Sequence, residues 1–214
     1  MDTTIVIILG VLHSFHNSVP SYSLEKLESA LHKIKPDIIL AELTQSEIDS
    51  AKSQTFKIEY GIILPYAKKN KISVLGLDPE EPLFSKMVDP YIKNQKDFPK
   101  KFPLESKTQD VFQSQLFDFL IKEHWVSISK TQSDTTNDMF KLKHRFQEEL
   151  MGIEEKNGWN SFNQYYSDKI SEVAKKSPGK TILVTIGIEH VYWLKEKLSS
   201  NSKLKIADTE SLLK

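Results

Sequence analysis

Four apolar runs restrict this chain more than any other feature in it. TIVIILG (4–10), DIILAE (37–42), ISVLGLD (72–78) and TILVTIG (181–187) are dense in Val, Ile and Leu and show no polar–apolar alternation. A strand covered on one face alternates. A strand covered on both faces reads as a continuous run, the mark of parallel strands sandwiched between helices. The intervening segments supply those helices. SLEKLESALHKIK (23–35) opens on a capping serine, places Leu24, Leu27, Ala30, Leu31 and Ile34 on one face, and is stopped by Pro36. Residues 44–70 read as one or two helices, interrupted or tightened around Gly61 and Pro65. Residues 4–78 therefore spell β-α-β-α-β, and right-handed crossovers make these strands parallel. The expected fold is α/β: three α/β/α layers around a mostly parallel sheet.

Between Pro79 and about Gly158 the character changes. Prolines stand at 79, 82, 90, 99 and 103, lysines run through KNQKDFPKKFP, and helical patterns follow at 110–130 and 137–155. This describes a helical insertion, 83–158, within a single domain of residues 1–214. After it come an amphipathic helix at 159–177, closed by Pro178-Gly179, then the last strong strand, a helix at 189–200 and a weak strand at 203–208.

Composition removes several classes of function. Lys plus Arg equals Asp plus Glu at 29 each, which gives no net field for tracking phosphates. Arg145 is the one arginine, so the preferred fork for phosphate or guanine is nearly absent. No cysteine is present, which excludes disulfides, thiolate metal sites and a thiol nucleophile. The first apolar run is too short for a signal peptide and follows Asp2, and no run approaches the roughly 20 residues of a membrane span. A cytoplasmic protein with neither nucleic-acid nor membrane partner is expected.

In an open parallel sheet, ligands bind beyond the carboxyl ends of the strands. The first run ends in Gly10-x-x-His13, the second in Glu42, the third in Asp78, and the last in Gly187-Ile188-Glu189-His190. Two histidines with a carboxylate form a nitrogen and oxygen set suited to a divalent ion such as Mn, Zn or Co. Such a set either ligates an ion that activates water or orients a water directly, with Glu42 as third ligand or base. Glycine ahead of each histidine lets the chain turn sharply and lets backbone approach a bound group. His16 and Glu189 neighbour the motif histidines and are candidates for contacting substrate.

Gly10-Val11-Leu12-His13, IILAEL with Glu42, EYGIILPYAKKNKISVLGLD with Glu59, Tyr60 and Asp78, and Gly187-Ile188-Glu189-His190 together resemble the ordered motifs of the TraB/PrgY, GumN and Tiki group, within the EreA/ChaN-like superfamily. The resemblance covers about residues 4–80 and 158–200. It implies an α/β sheet with a helical insertion, and a metal-dependent hydrolase acting on a peptide, ester or lactone bond. It places His13, Glu42 and His190 at the centre, with Glu59, Tyr60 and Asp78 behind them. The same group includes haem binders and proteins that restrain peptides, so small-molecule binding or non-catalytic peptide sequestration are the other functions it implies. Many members carry an arginine in the helix before the second motif, where this chain has Asn163, Gln164 and Tyr165.

Overall fold

The computed structural model describes residues 3–50 and 56–214. Strands β1 (Thr4–Val11), β2 (Ile38–Ala41), β3 (Ser73–Gly76), β4 (Thr181–Gly187) and β5 (Leu204–Ile206) form one sheet in the order β3-β2-β4-β1-β5, with every pairing parallel. The fold is α/β, as the uninterrupted apolar runs require. β2 and β3 stop one or two residues short of the runs that announced them, which leaves Glu42 and Asp78 just beyond the strand ends.

Two cores explain why alternation is missing. On one side of the sheet Ile7, Leu9, Val11, Ile39 and Leu183 pack against Leu27 and Leu31 of α1 (Leu24–Ile34) and Ile63 and Tyr66 of a later helix, Tyr60–Asn70. On the other, Val6, Ile8, Leu40, Ile182, Val184 and Ile186 pack against a second pair of helices. Successive strand residues point to opposite faces, and here both faces lead into oil.

Residues 44–70 contain two helices, α2 (Gln45–Ser50) and α3 (Tyr60–Asn70), and α3 continues through Pro65 without interruption. The possible break near Gly61 is instead the start of α3. Residues 51–55 lie outside the described residues.

The insertion contributes α4 (Leu83–Lys101), α5 (Pro103–Phe119), α6 (Ile128–Thr131) and α7 (Asp134–Met151). The helix expected at 159–177 is the latter part of a longer one, α8 (Ile153–Lys176), which crosses position 158 unbroken. Gly158 is there for close approach: a β-carbon at this position would lie 2.7 Å from the Tyr91 ring of α4. Tyr166 and Ile170 of α8, with Val191 and Leu194 of α9 (Val191–Ser199), form the second helical layer. A last turn, α10 (Thr209–Leu212), follows β5.

The insertion also finishes the sheet. β5 pairs only with Thr4–Val6, so the edge of β1 near its carboxyl end lacks a strand partner. Gln132 substitutes for one: its Oε1 accepts from Gly10 N–H at 2.8 Å and its amide nitrogen donates to Gly10 C=O at 3.0 Å. Leaving β1 the chain moves toward β2 and β3; leaving β4 it moves the opposite way, across β1 to β5. Adjacent strands whose connections diverge define a topological switch point, and both Gly-x-x-His motifs occupy it.

Candidate functional site

β1 and β4 run in register from Ile5–Thr181 to Val11–Gly187, which brings the two motifs side by side. They interlock. A β-carbon on Gly10 would stand 2.9 Å from the Ile188 side chain, and one on Gly187 would stand 2.9 Å from His13 Nε2. Each glycine thus makes room for the other motif. Neither has a positive φ, so the sharp turn expected of them is made elsewhere: His13 itself adopts φ 51° in the left-handed region.

The expected residues meet around Gly187: a β-carbon built there would lie 2.9 Å from His13 Nε2, 3.5 Å from Glu42 Oε2 and 3.6 Å from His190 Cδ2. Histidines 177 positions apart in sequence, with the carboxylate after β2, therefore face one small volume. Glu42 Oε2 accepts the Gly187 N–H at 2.5 Å and lies 3.8 Å from His13 Nε2.

Each imidazole is held by its other nitrogen. His13 Nδ1 lies 2.7 Å from Oε1 of Glu59, a side chain that is wholly buried at the start of α3. His190 Nδ1 lies 2.8 Å from Asn163 Oδ1, and the Asn163 amide nitrogen donates to Trp159 C=O at 2.8 Å. That second bond fixes the amide with oxygen toward His190, so Nδ1 carries the proton and Nε2 keeps its lone pair. Both rings thus turn an Nε2 away from their anchor. Asn163 occupies the segment where the resembling group often carries arginine, and its role here is to orient His190.

The charges are arranged unequally. Burial lowers the His13 pKa, but its bond to Glu59 and the charges of Glu42 and Glu59 outweigh this and raise it above 6.5. His190 has no such surplus: burial takes it down to about 4, and it is neutral at pH 7. Burial would raise Glu42, yet Lys57 and His13 hold it below the usual carboxylate value. Asp78 is pushed up by burial.

Lys57 is the residue that sequence reasoning missed. Its ammonium donates to Glu42 C=O at 2.6 Å, sits 3.3 Å from Glu42 Oε1 and donates to Asp78 Oδ2 at 2.9 Å. Tyr166 donates to the other Asp78 oxygen at 2.6 Å. Asp78 and Lys57 therefore brace Glu42 from behind. Tyr60 is a strut of another kind: its hydroxyl accepts Glu42 N–H at 2.6 Å and donates to Thr185 C=O at 3.1 Å, tying β2 to β4.

Two expected residues are committed elsewhere. His16 is buried, accepts Leu12 N–H at Nε2 (3.1 Å) and donates from Nδ1 to Tyr22 C=O (2.7 Å), so it shapes the turn after β1. Glu189 pairs with Lys143 at 2.5 Å and His144 at 3.1 Å, both on α7. Burial would raise its pKa; the Lys143 charge and the hydrogen bond from His144 outweigh it and hold the carboxyl far below normal. Glu189 fastens the insertion to the switch point.

No family model, curated protein or solved structure matches the chain. The family resemblance accordingly rests on the two Gly-x-x-His motifs and the carboxylates between them. No helix among the described residues is long and apolar enough to cross a membrane.

The two histidines and Glu42 match a divalent ion in kind, with outer partners of the type that orient metal-bound imidazoles. They are not drawn together as a cage: among the described residues no group of three His, Asp or Glu is disposed to hold a metal ion. The 3.8 Å between His13 Nε2 and Glu42 Oε2 is close to twice a typical bond of roughly 2.0–2.2 Å, the outer limit for sharing one ion.

The His190 shift makes stability pH-dependent. Below pH 6.5 the unfolded chain takes up a proton that folded His190 refuses until about pH 4, so stability falls as pH drops through that window. At 1.36 kcal/mol per pH unit the gap is worth about 3 kcal/mol, and roughly 2 for a ring that still meets solvent. Urea midpoints measured in a chelator should fall less steeply between pH 6.5 and 4.5 for His190→Gln than for the unaltered protein. Parallel losses would remove His190 as the cause.

Proposed function

We propose that this chain is a hydrolase acting on a peptide, ester or lactone bond, with its reacting water held against His13 Nε2. The observation that carries the reading is the convergence of His13 Nε2, Glu42 Oε2 and the His190 ring on Gly187 at the switch point. His13 is the base. Its Nε2 takes a proton from the water as the water oxygen bonds to the substrate carbonyl carbon. Glu59, bonded to Nδ1, steadies the ring and the imidazolium that forms. The proton then passes from His13 to the leaving oxygen or nitrogen as its bond to carbon breaks. His190 is neutral and offers the water a lone pair, while the ionised Glu42 holds the positive charge developing on His13 close by.

A divalent ion would supply Lewis acidity toward the water and the carbonyl only with His13, His190 and Glu42 drawn closer together than they stand here. The deciding experiment compares the purified protein with His13→Ala, Glu42→Gln and His190→Ala across uncharged esters, lactones and short peptides, alongside metal analysis of each. Hydrolysis that falls at least about 100-fold in His13→Ala supports the proposal. No turnover by the unaltered protein on any member of the panel, or equal turnover by all four proteins, would refute it.

A further inference from the structure

One apolar cavity adjoins the convergence of the two motifs. Its volume is about 190 Å³, and His13, Gly187 and His190 lie on its wall. Most of the remaining wall is hydrocarbon. Val11, Leu12 and Ile188 come from strand ends, while Phe15, Phe117, Trp125 and Trp159 reach in from four other segments. Both indole N–H groups are engaged behind that wall. Trp125 Nε1 donates to Thr136 Oγ1 at 3.0 Å and Trp159 Nε1 to the Tyr192 hydroxyl at 3.0 Å, and neither partner lines the cavity. The two tryptophans therefore present ring carbon to whatever enters. Glu189 also lines the cavity, with its carboxylate engaged by Lys143 and His144.

Exposure is graded across the same wall. Trp125 and Trp159 are buried, whereas Phe15 is 44% exposed and Phe56, which also lines the cavity, 57%. A lone exposed phenylalanine needs no explanation, but two on the rim of one concave apolar site mark surface that a ligand covers. Both rings are held in place. Phe15 stacks on Phe117 with centroids 5.6 Å apart and planes at 6°, and Phe56 lies 5.1 Å from the His13 ring. A dry cavity of about 150 Å³ accepts a benzene molecule, so this one suits a single aromatic ring, which the surrounding rings can meet edge-on or offset.

We propose that the substrate carries one aromatic ring near its scissile carbonyl, with the ring seated in this cavity and the carbonyl at His13. The position of the carbonyl rests on the hydrolase reading, but the seat of the ring is measured without turnover. The probe is 4-phenylbutan-2-one, which has a ring, a carbonyl and no bond to hydrolyse, compared with butan-2-one, which lacks the ring. Binding is followed through the indole N–H signals of the ¹⁵N-labelled protein. Three tryptophans make the readout specific: Trp125 lines this cavity alone, Trp159 lines both it and a second apolar cavity between α4 and α8, and Trp193 lines neither.

The phenyl ketone should shift the Trp125 and Trp159 signals, leave Trp193 in place, and bind at least about tenfold tighter than butan-2-one. Phe15→Ala and Phe56→Ala, changes at exposed positions, should each weaken it at least about threefold. A shift of Trp159 without Trp125 would put the ring between α4 and α8 and overturn the inference. So would no saturable binding, equal affinity with and without the ring, or undiminished affinity in both variants. Binding as expected, with no hydrolysis of methyl 3-phenylpropanoate, benzyl acetate or the corresponding amides, would refute the hydrolase and leave the ring site standing. Hydrolysis with equal kcat/KM for esters with and without the ring would do the reverse.

Discussion

Replacing Lys57 by methionine is expected to destabilise the protein by about 2–4 kcal/mol at pH 7.5, lowering the melting temperature by roughly 5–15 °C. The size follows from what the ammonium holds. Glu42 and Asp78 are both buried, and Lys57 lies within 3.3 Å of one carboxylate and 2.9 Å of the other. Burial alone would lower the Lys57 pKa, yet the two carboxylates raise it, so the cation is bound more tightly than water would hold it. Methionine matches the stem and removes the charge, leaving two desolvated anions facing each other. The pH dependence identifies the cause. Glu42, depressed in the folded protein, contributes stability above its unfolded value and loses it as pH falls. Without Lys57 both carboxyls rise and protonate early, so the deficit of the variant should shrink toward pH 4.5. Thermal unfolding at the two pH values is the measurement. An unchanged melting temperature at pH 7.5, or an equal deficit at both, would mean that the anions are compensated by something other than Lys57.

Lys57 also shows where a sequence stops being legible. The strands could be read because each is buried on both faces, and that condition is local: Val6, Ile7, Ile8 and Leu9 are all buried, so four successive positions are apolar. The carboxyl-end residues could be read because a parallel sheet concentrates function there. The order of the strands could not, because β4 enters between β1 and β2 only after more than a hundred residues, and nothing in TILVTIG names its neighbours. That insertion is what creates the switch point and brings His13 against Gly187. The partners were hidden for the same reason. Asn163 reaches His190 from one helix, Glu59 reaches His13 from another, and neither contact leaves a periodic trace. Lys57 left one indirect sign. Glu42 and Asp78 at buried strand ends demand a cation, and the EYG segment that resembles the family begins two residues after a lysine. His16 was misleading because it stands beside the motif histidine, whereas a buried turn can engage both nitrogens of one ring with backbone.

Changing Glu59 to glutamine should move the pH profile of hydrolysis more than it disturbs the fold, and changing His13 to glutamine should remove roughly 10²–10⁴-fold of the rate. His13 acts as a base only when neutral. Its raised pKa therefore places the ascending limb of the kcat/KM profile above pH 6.5, in chelator, for the unaltered protein. Of the influences that raise this pKa, Glu59 supplies both the hydrogen bond and a full charge, with Glu42 adding a charge from 3.8 Å. Glutamine keeps the shape of the side chain and can still accept from Nδ1–H, but removes the charge. The limb should shift to lower pH, so the variant is relatively more active near pH 6 while its rate at the plateau falls, because the imidazolium formed in the transition state has lost its counter-charge. A purely structural Glu59 would lower activity evenly across pH and leave the midpoint where it was. Burial of Glu59 makes some loss of stability unavoidable in either case, which is why the midpoint, and not the rate alone, decides whether His13 is the base.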